Sequence, residues 1–125
     1  MQTIISVGVD LVDISRFERV LTRTPRLVER VFTVEERREC AGRVSALAAR
    51  WAIKEAVAKA LVDNRGHEWH DCRTTRGPMG EPLLELRGTV AQSARVRGIT
   101  SWHVSVSHDG GMAVAFVIAS GPDNP

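Results

Sequence analysis

The sequence is poor in aromatic residues and in cysteine, with three Trp, three Phe, no Tyr and two Cys among 125 residues. With so few aromatic side chains, the core must consist mainly of Ala, Val, Leu and Ile. Cys40 and Cys72 belong to no CxxC pair, so neither a disulfide framework nor a zinc site is indicated, and we expect two reduced thiols. The length fits one compact domain with little room for a deep cleft, so we expect an active site shared between subunits.

Long hydrophobic runs are also absent. No apolar stretch approaches the roughly 20 residues that span a bilayer, and the N-terminus lacks the basic segment of a signal peptide. The formal net charge of +2 is too small for nonspecific nucleic-acid binding, which requires a concentrated basic patch. The sequence therefore predicts a cytoplasmic protein that binds neither a membrane nor a nucleic acid.

Hydrophobic periodicity and turn signals predict an α+β fold. Strands are predicted at 3–9, 68–74, 102–107 and 112–119, and Asp109-Gly110 predicts a hairpin between the last two. Helices are predicted from a cap at Asp13 or Ser15 to Arg23, from a capping box at 33–36, at 46–62 and at 89–97. Because strands and helices do not alternate regularly, a doubly wound sheet is disfavoured. We assign 1–120 to a single domain and 121–125 to a polar tail.

The helix predicted at 46–62 contains seven Ala and neither Gly nor Pro. It is apolar nearly all round, which is typical of a buried helix. Its four charged residues are Arg50, Lys54, Glu55 and Lys59. Buried charges need partners, and two interpretations remain open. Either the basic residues pair with carboxylates elsewhere, with Glu55–Lys59 as an i,i+4 pair, or they bind phosphate oxygens while Glu55 binds a divalent cation.

Asp10 follows the first predicted strand and is a candidate second ligand for that cation. Mg²⁺ typically takes one or two protein carboxylates together with water and substrate phosphates, so Asp10 and Glu55 would suffice. The last predicted strand pair places His103 on a polar or interface face and His108-Asp109 at the hairpin. Taken alone, His103 could be an ordinary surface residue, and His108 and Asp109 could be ordinary turn residues.

Three segments, in this order, resemble the motifs of one family, the holo-acyl-carrier-protein synthases, the small class of 4′-phosphopantetheinyl transferases. The segments are Gly8-Val9-Asp10 followed by Arg16, the run from Arg50 to Ala60, and the run from His103 to Asp109. The resemblance spans nearly the whole chain and is strongest to actinobacterial members. It implies a small antiparallel sheet packed on a long central helix, and a homotrimer with sites at subunit interfaces.

The resemblance also implies the reaction. Coenzyme A gives its 4′-phosphopantetheine arm to a serine of an apo acyl carrier protein, releasing adenosine 3′,5′-bisphosphate. Mg²⁺ would be held by Asp10 and Glu55, with Lys59 near the transferring phosphate and Glu55, directly or through a water, as one candidate acceptor of the serine proton. The remaining implied assignments are coenzyme A contacts at Arg50, Lys54 and His103, and a catalytic pair at His108 and Asp109.

A basic stripe at three- and four-residue intervals lies near the first predicted helix, formed by Arg16, Arg19, Arg23 and Arg26. A charge run is usually a solvated face, but an acidic carrier protein is a partner that such a patch would attract. We therefore predict carrier docking at Arg16 and Arg19. The chain departs from the family pattern after the second motif, where a Gly is usual and Leu61 to Arg65 stand instead, and the segment between Phe32 and Leu47 is short.

Two other functions are compatible with the residues alone. A metal-dependent nucleotide or pyrophosphate hydrolase could use the same Asp10, Glu55 and basic side chains, and it would act on coenzyme A without a carrier. A non-enzymatic nucleotide- or protein-binding module would use the buried charges only as ion pairs, so loss of Glu55 would destabilise it and remove no activity.

Overall fold

The structure, a computed structural model, describes residues 1–123. Five strands and five helices account for most of this range, with a short 3₁₀ turn at Trp69–Asp71. The strands are β1 (Gln2–Asp13), β2 (Cys72–Arg76), β3 (Pro82–Leu86), β4 (Ser101–Asp109) and β5 (Met112–Pro122). The helices are α1 (Ile14–Arg23), α2 (Arg26–Val31), α3 (Val34–Cys40), α4 (Val44–Leu61) and α5 (Gly88–Val96).

The main sheet is antiparallel with strand order β1-β5-β4, and a separate hairpin joins β2 to β3. Helix α4 packs against β1 and β5. The inner face of β5 carries small side chains that are fully enclosed, which lets the helix approach closely: Ala113, Ala115, Val117 and Ala119. The predicted α+β class, the small antiparallel sheet and the central helix are confirmed.

Gly8 marks the point where β1 and α4 come closest. A Cβ atom on this residue would overlap the carbonyl oxygen of Ala56 on α4. Any larger side chain would therefore push the strand off the helix. The close contact brings the next residues of β1, including Asp10, to the side of α4 that carries Glu55 and Lys59.

Several local predictions are confirmed. Asp13 caps α1 by accepting a hydrogen bond from the backbone N–H of Arg16 at 3.1 Å. The side chains of Thr33 and Glu36 form the reciprocal capping box of α3. Gly110 and Gly111 turn the β4–β5 hairpin with positive φ values of 55° and 77°, as a two-residue loop requires.

Four parts of the chain differ clearly from the prediction. Strand β1 continues to Asp13 because its pairing with β5 runs without interruption from Ser6 to the hairpin, so Asp10 lies within the strand and not after it. Helix α2 was not predicted. It begins at Arg26, directly after Pro25, whose fixed φ suits a helix N-terminus. The segment predicted as a strand at 68–74 begins with the 3₁₀ turn. The predicted tail at 121–125 overlaps β5, in which Gly121 and Pro122 pair with β1, and 124–125 lie outside the described residues.

Val62 ends α4 in an unusual backbone conformation. Its φ is 67° and its ψ is −62°, a left-handed region that is costly for a β-branched residue. The side chain is 74% exposed, so packing does little to offset this cost. This is the region where the sequence departs from the glycine usual in the family.

Replacing Val62 with Gly is expected to stabilise the protein by about 1 kcal/mol. The change releases about 1–3 kcal/mol of backbone strain. This should exceed the free-energy cost that arises because glycine gives the unfolded chain more conformational entropy. The measurement is the free energy of unfolding in urea. Val96→Gly is the matched control, because Val96 is similarly exposed but is the last residue of helix α5 and has no positive φ. Glycine there should destabilise by no more than about 0.5 kcal/mol. Equal destabilisation by both changes would contradict the prediction.

Candidate active site

The charged residues of α4 lie on a buried helix, as predicted, but they have separate surroundings. Lys54 is almost completely enclosed, with 1% of its side chain exposed. Its ammonium group is 2.9 Å from Glu36 Oε1 and donates hydrogen bonds to the carbonyl oxygens of Trp69 and Cys72. For Lys54 the structure favours the first interpretation, a buried salt bridge, over the predicted contact with coenzyme A.

Arg50 is also paired within the chain. Its guanidinium donates to Glu39 Oε2 and to Cys40 Sγ, both at 2.9 Å. Arg50 also lines a cleft of about 180 Å³. Three arginines and a histidine, together with buried Thr74, make this cleft basic: Arg43, Arg50, Arg76 and His108. The Thr74 hydroxyl has no hydrogen-bond partner within the described residues, so the cleft offers both positive charge and a free donor to an anion.

Lys59 pairs with Asp10 across the β1–α4 contact. The Lys59 ammonium is 2.8 Å from Asp10 Oδ1 and 3.3 Å from the carbonyl oxygen of Val9. The hydrogen bond that Lys59 donates to Asp10 raises the pKa of Lys59, so its positive charge is secure at neutral pH. The simple i,i+4 pair of Lys59 with Glu55 is not formed among the described contacts, and the lysine reaches the strand instead.

Glu55 stands between two cavities. One, of about 630 Å³, is also lined by Asp10, Arg16 and Trp51. The other, of about 220 Å³, is also lined by Lys54 and by the segment that contains Trp69. Glu55 is thus the side chain that both cavities share.

The electrostatics around Glu55 and Asp10 fit a divalent cation. Burial raises the pKa of the Glu55 carboxyl, the negative charge of Asp10 raises it further, and Lys59 opposes both effects. A cation held by the two carboxylates would relieve their repulsion. No group of three or more His, Cys, Asp or Glu side chains suited to a metal occurs within residues 1–123. Mg²⁺ typically takes one or two protein carboxylates and completes its shell with water and phosphate oxygens, so Asp10 and Glu55 are the residues that could hold it.

The residues of the third motif lie elsewhere in the chain. His103 is exposed on β4, where it alternates with half-buried neighbours and pairs with Ile118 of β5. His108 is also exposed, and its Nε2 is 3.1 Å from the carbonyl oxygen of Ser45. Asp109 lies at the hairpin. Within one chain, none of these lines either of the cavities that Glu55 shares.

The two cysteines are not candidate nucleophiles in this arrangement. Both are buried and unpaired. Burial raises the pKa of the Cys72 thiol to about 12 and raises that of Cys40 as well. Both thiols are therefore protonated at neutral pH, which excludes them as nucleophiles.

Sequence reasoning missed the partners of the α4 charges. Glu36 and Glu39 hold Lys54 and Arg50, and Thr74, Arg43 and Arg76 complete the basic cleft. Only Glu36 gave a local signal, because it occupies the N3 position of the capping box that begins at Thr33. Nothing in that signal indicates a lysine 18 positions further along the chain.

Residues 6–117 match the model of the 4′-phosphopantetheinyl transferase superfamily. The chain belongs to this superfamily. Within it, the chain is 58% identical over 116 residues to the holo-[acyl-carrier-protein] synthase of Kocuria rhizophila, covering 93% of this chain and 92% of that protein. It is 52% identical over 116 residues to the synthase of Beutenbergia cavernae, covering 93% and 97%.

A solved structure gives the same relationship in three dimensions. The Helicobacter pylori holo-[acyl-carrier-protein] synthase in complex with coenzyme A superposes with a TM-score of 0.80 at 31% identity, covering 90% of this chain and 98% of that one. This chain is thus a holo-acyl-carrier-protein synthase by family, as the three motifs predicted. The membership favours the transferase over the hydrolase and the non-enzymatic module. Within residues 1–123, no helix combines the length and the hydropathy needed to cross a membrane.

Proposed function

We propose that this protein transfers the 4′-phosphopantetheine arm of coenzyme A to a serine hydroxyl of an apo acyl carrier protein. The serine oxygen forms the new bond to phosphorus, and the bond to the leaving adenosine 3′,5′-bisphosphate breaks. The observation that carries the proposal is the convergence of Asp10, Glu55 and Lys59 at the β1–α4 contact, in a chain of this family.

Each residue at this contact has a distinct task. Asp10 and Glu55 would hold Mg²⁺, which when bound supplies charge neutralisation and orientation of the pyrophosphate. Lys59, exposed over 56% of its side chain, can turn its ammonium to the transferring phosphate. Glu55, directly or through a water, is the candidate acceptor for the serine proton.

The basic cleft is the best-supported place for the other phosphates of coenzyme A. Arg50 and His108 line it, and the unpartnered Thr74 hydroxyl offers a further donor. This supports the predicted contact of Arg50 with coenzyme A, whereas the predicted catalytic role of His108 stays a prediction. Lys54 has no free donor to offer, so we omit it from the contacts with coenzyme A.

A homotrimer would explain why the third motif lies apart from Glu55. The outer face of the sheet exposes apolar side chains, with Val7, Val9 and Leu11 of β1 between 51% and 61% exposed and Phe116 of β5 at 42%. Folded monomers seldom leave such a contiguous apolar face in water. Packing copies of this chain on that face would bury it and could bring the β4 residues His103, His108 and Asp109 of one copy toward Asp10 and Glu55 of the next.

The reaction is tested by incubating the protein with coenzyme A, Mg²⁺ and an apo carrier protein and recording intact masses. The carrier should gain one phosphopantetheine, and it should gain none when Mg²⁺ is removed by a chelator. Light scattering on the same sample should give the mass of three chains. Hydrolysis of coenzyme A without modification of the carrier would favour the hydrolase instead.

Carrier docking at Arg16 and Arg19 is a separate prediction. Both side chains are exposed on α1, and no ion pair occupies either of them within the described part of the chain. Arg16 also lines the cavity that contains Asp10 and Glu55, so a carrier bound there would present its serine to the site. Arg26 belongs to α2, and the stripe therefore does not continue along a single helix.

Charge reversal of Arg16 and Arg19 to Glu is expected to raise the KM for the carrier roughly tenfold at low salt, with the KM for coenzyme A unchanged, because steering depends on complementary charge. The difference should shrink as ionic strength increases. Arg95→Glu on α5 is the control, since Arg95 is equally exposed and lies outside that cavity. An equal rise in KM for Arg95→Glu would contradict a specific docking surface.

A further inference from the structure

The ion pair between Lys54 and Glu36 joins four separate segments of the chain. Lys54 lies on α4, immediately before Glu55. Its ammonium group has three acceptors, namely Glu36 Oε1 at 2.9 Å, the carbonyl oxygen of Trp69 at 3.0 Å and the carbonyl oxygen of Cys72. An ammonium group has three N–H donors, so all of its hydrogen-bonding capacity is used inside the protein.

Glu36 is equally enclosed and equally well connected. Its exposure is 0%. Besides Lys54, its carboxylate accepts a hydrogen bond from the backbone N–H of Thr33 at 3.1 Å and a long one from that of Thr74 at 3.4 Å. The pair therefore ties the start of α3, the middle of α4, the 3₁₀ turn and β2 to one another.

The segment held by this pair is a wall of the smaller cavity beside Glu55. Asn64, His67, Glu68 and Trp69 line that cavity opposite α4. The two carbonyl groups that Lys54 binds stand at the beginning and just beyond the end of the 3₁₀ turn. Lys54 thus fixes the distance between the wall and the helix that carries Glu55.

Burying an ion pair costs desolvation free energy, which offsets much of the stability gained by joining the four segments. Replacing such a pair by apolar or neutral groups of similar volume is often neutral or stabilising, whereas removing one partner alone is strongly destabilising. Stability alone therefore gives little reason for this pair. The observation that distinguishes it is its place, one residue from Glu55 and in direct contact with the cavity wall.

We propose that Lys54 and Glu36 are a positioning pair for the transfer reaction, which hold the wall at 64–72 against α4 so that coenzyme A is placed correctly relative to Glu55. The inference rests on the proposed function. Lys54 was expected to contact coenzyme A. In this proposal it affects the placement of coenzyme A only indirectly, through the wall.

The test compares Lys54→Met with the double variant Lys54→Met/Glu36→Gln. The single change leaves a buried carboxylate without its partner and should lower the urea midpoint clearly. The double change leaves no unpaired charge, and Gln at position 36 can still complete the capping box. We expect the double variant to regain part of the lost midpoint, with the remainder due to the carbonyl groups of Trp69 and Cys72 that lose their donor. It should retain a roughly tenfold to hundredfold loss in kcat/KM, mainly as a higher KM for coenzyme A.

Hydrogen exchange gives a readout that does not depend on activity. In the double variant, peptides from 64–76 should exchange faster while those of α4 keep their protection. The control is Arg73→Met/Glu85→Gln, which removes an ion pair on the β2–β3 hairpin and should change neither the KM for coenzyme A nor exchange at 64–72.

The outcomes separate the two proposals. Recovery of the midpoint, the KM and the exchange pattern together in the double variant would show a merely structural pair and overturn the inference. Absence of transfer by the unaltered protein would overturn the proposed function, and hydrogen exchange would still decide whether the pair fixes the wall.

Discussion

Replacing Glu55 with Gln is expected to abolish carrier modification while leaving the fold as stable as before or more stable. The carboxylate is one of two candidate Mg²⁺ ligands and the candidate proton acceptor. Loss of a general base alone typically costs roughly 10²- to 10⁴-fold in rate. Because the neutral amide keeps the size of the side chain, the packing around it should not change.

The stability of this variant follows from the cause of the pKa shift. Burial and the charge of Asp10 raise the pKa of Glu55, so the folded state disfavours the ionised form relative to the unfolded chain. This penalty is absent at pH values below the unfolded pKa and is fully present above the folded one. The gain in unfolding free energy from Glu55→Gln should therefore appear as the pH rises through the raised pKa and should persist at neutral pH.

Intact-mass kinetics and urea unfolding at pH 4.5 and pH 7.5 would measure both effects. Glu29→Gln provides the same chemical change at an exposed position of α2 and should alter neither. Asp10→Asn should likewise lose Mg²⁺-dependent transfer and retain the fold. A Glu55→Gln protein that still modifies the carrier would remove the metal and base assignments. A destabilised Glu55→Gln protein, together with an unaltered protein that modifies no carrier, would favour the non-enzymatic module.

Gly8→Ala is expected to reduce both stability and activity. The added methyl group would occupy the position of the Ala56 carbonyl oxygen, and neither a strand nor a helix backbone can yield as a side chain does. Overpacking of this kind costs about 1–3 kcal/mol. The strand must move away from α4, which separates Asp10 from Lys59 and Glu55. A displacement of about 1 Å at an active site can cost on the order of 100-fold in rate.

Gly42→Ala is the matched comparison, since it adds the same methyl group where no atom lies within 4 Å. Gly42 has a φ of 76°, so this change carries only backbone strain of about 1 kcal/mol. Urea unfolding and transfer kinetics should show that Gly42→Ala lowers stability modestly without loss of activity. If Gly8→Ala were as active as Gly42→Ala, the close strand–helix contact would not be what positions Asp10.

The features that the sequence predicted well are local. Helix α4 was evident because its alanines and the lack of Gly or Pro act within a few turns of one helix. The capping box at Thr33 and the two-residue hairpin at Gly110 depend on residues three positions apart or fewer. Family membership could also be predicted, because the motifs are contiguous runs of residues.

The features that the sequence predicted poorly depend on contacts between distant segments. Strand β1 was predicted too short, since its last residues gain their conformation from pairing with β5 and not from their own propensity. Helix α2 follows a proline that equally well could have ended the helical region. The residues assigned to catalysis and coenzyme A binding remain predictions for the chemical tests above.

For the four charges of α4, the sequence determined that they lie on a buried helix and therefore need partners, because the apolar surface around them follows from helical periodicity alone. Only the tertiary structure decided which partners they have. Glu36 neutralises Lys54 from 18 residues away, and Asp10 binds Lys59 from 49 residues away. An ion pair depends on distance in space, and that distance is set by packing of α3 and β1 on α4, which no local pattern encodes.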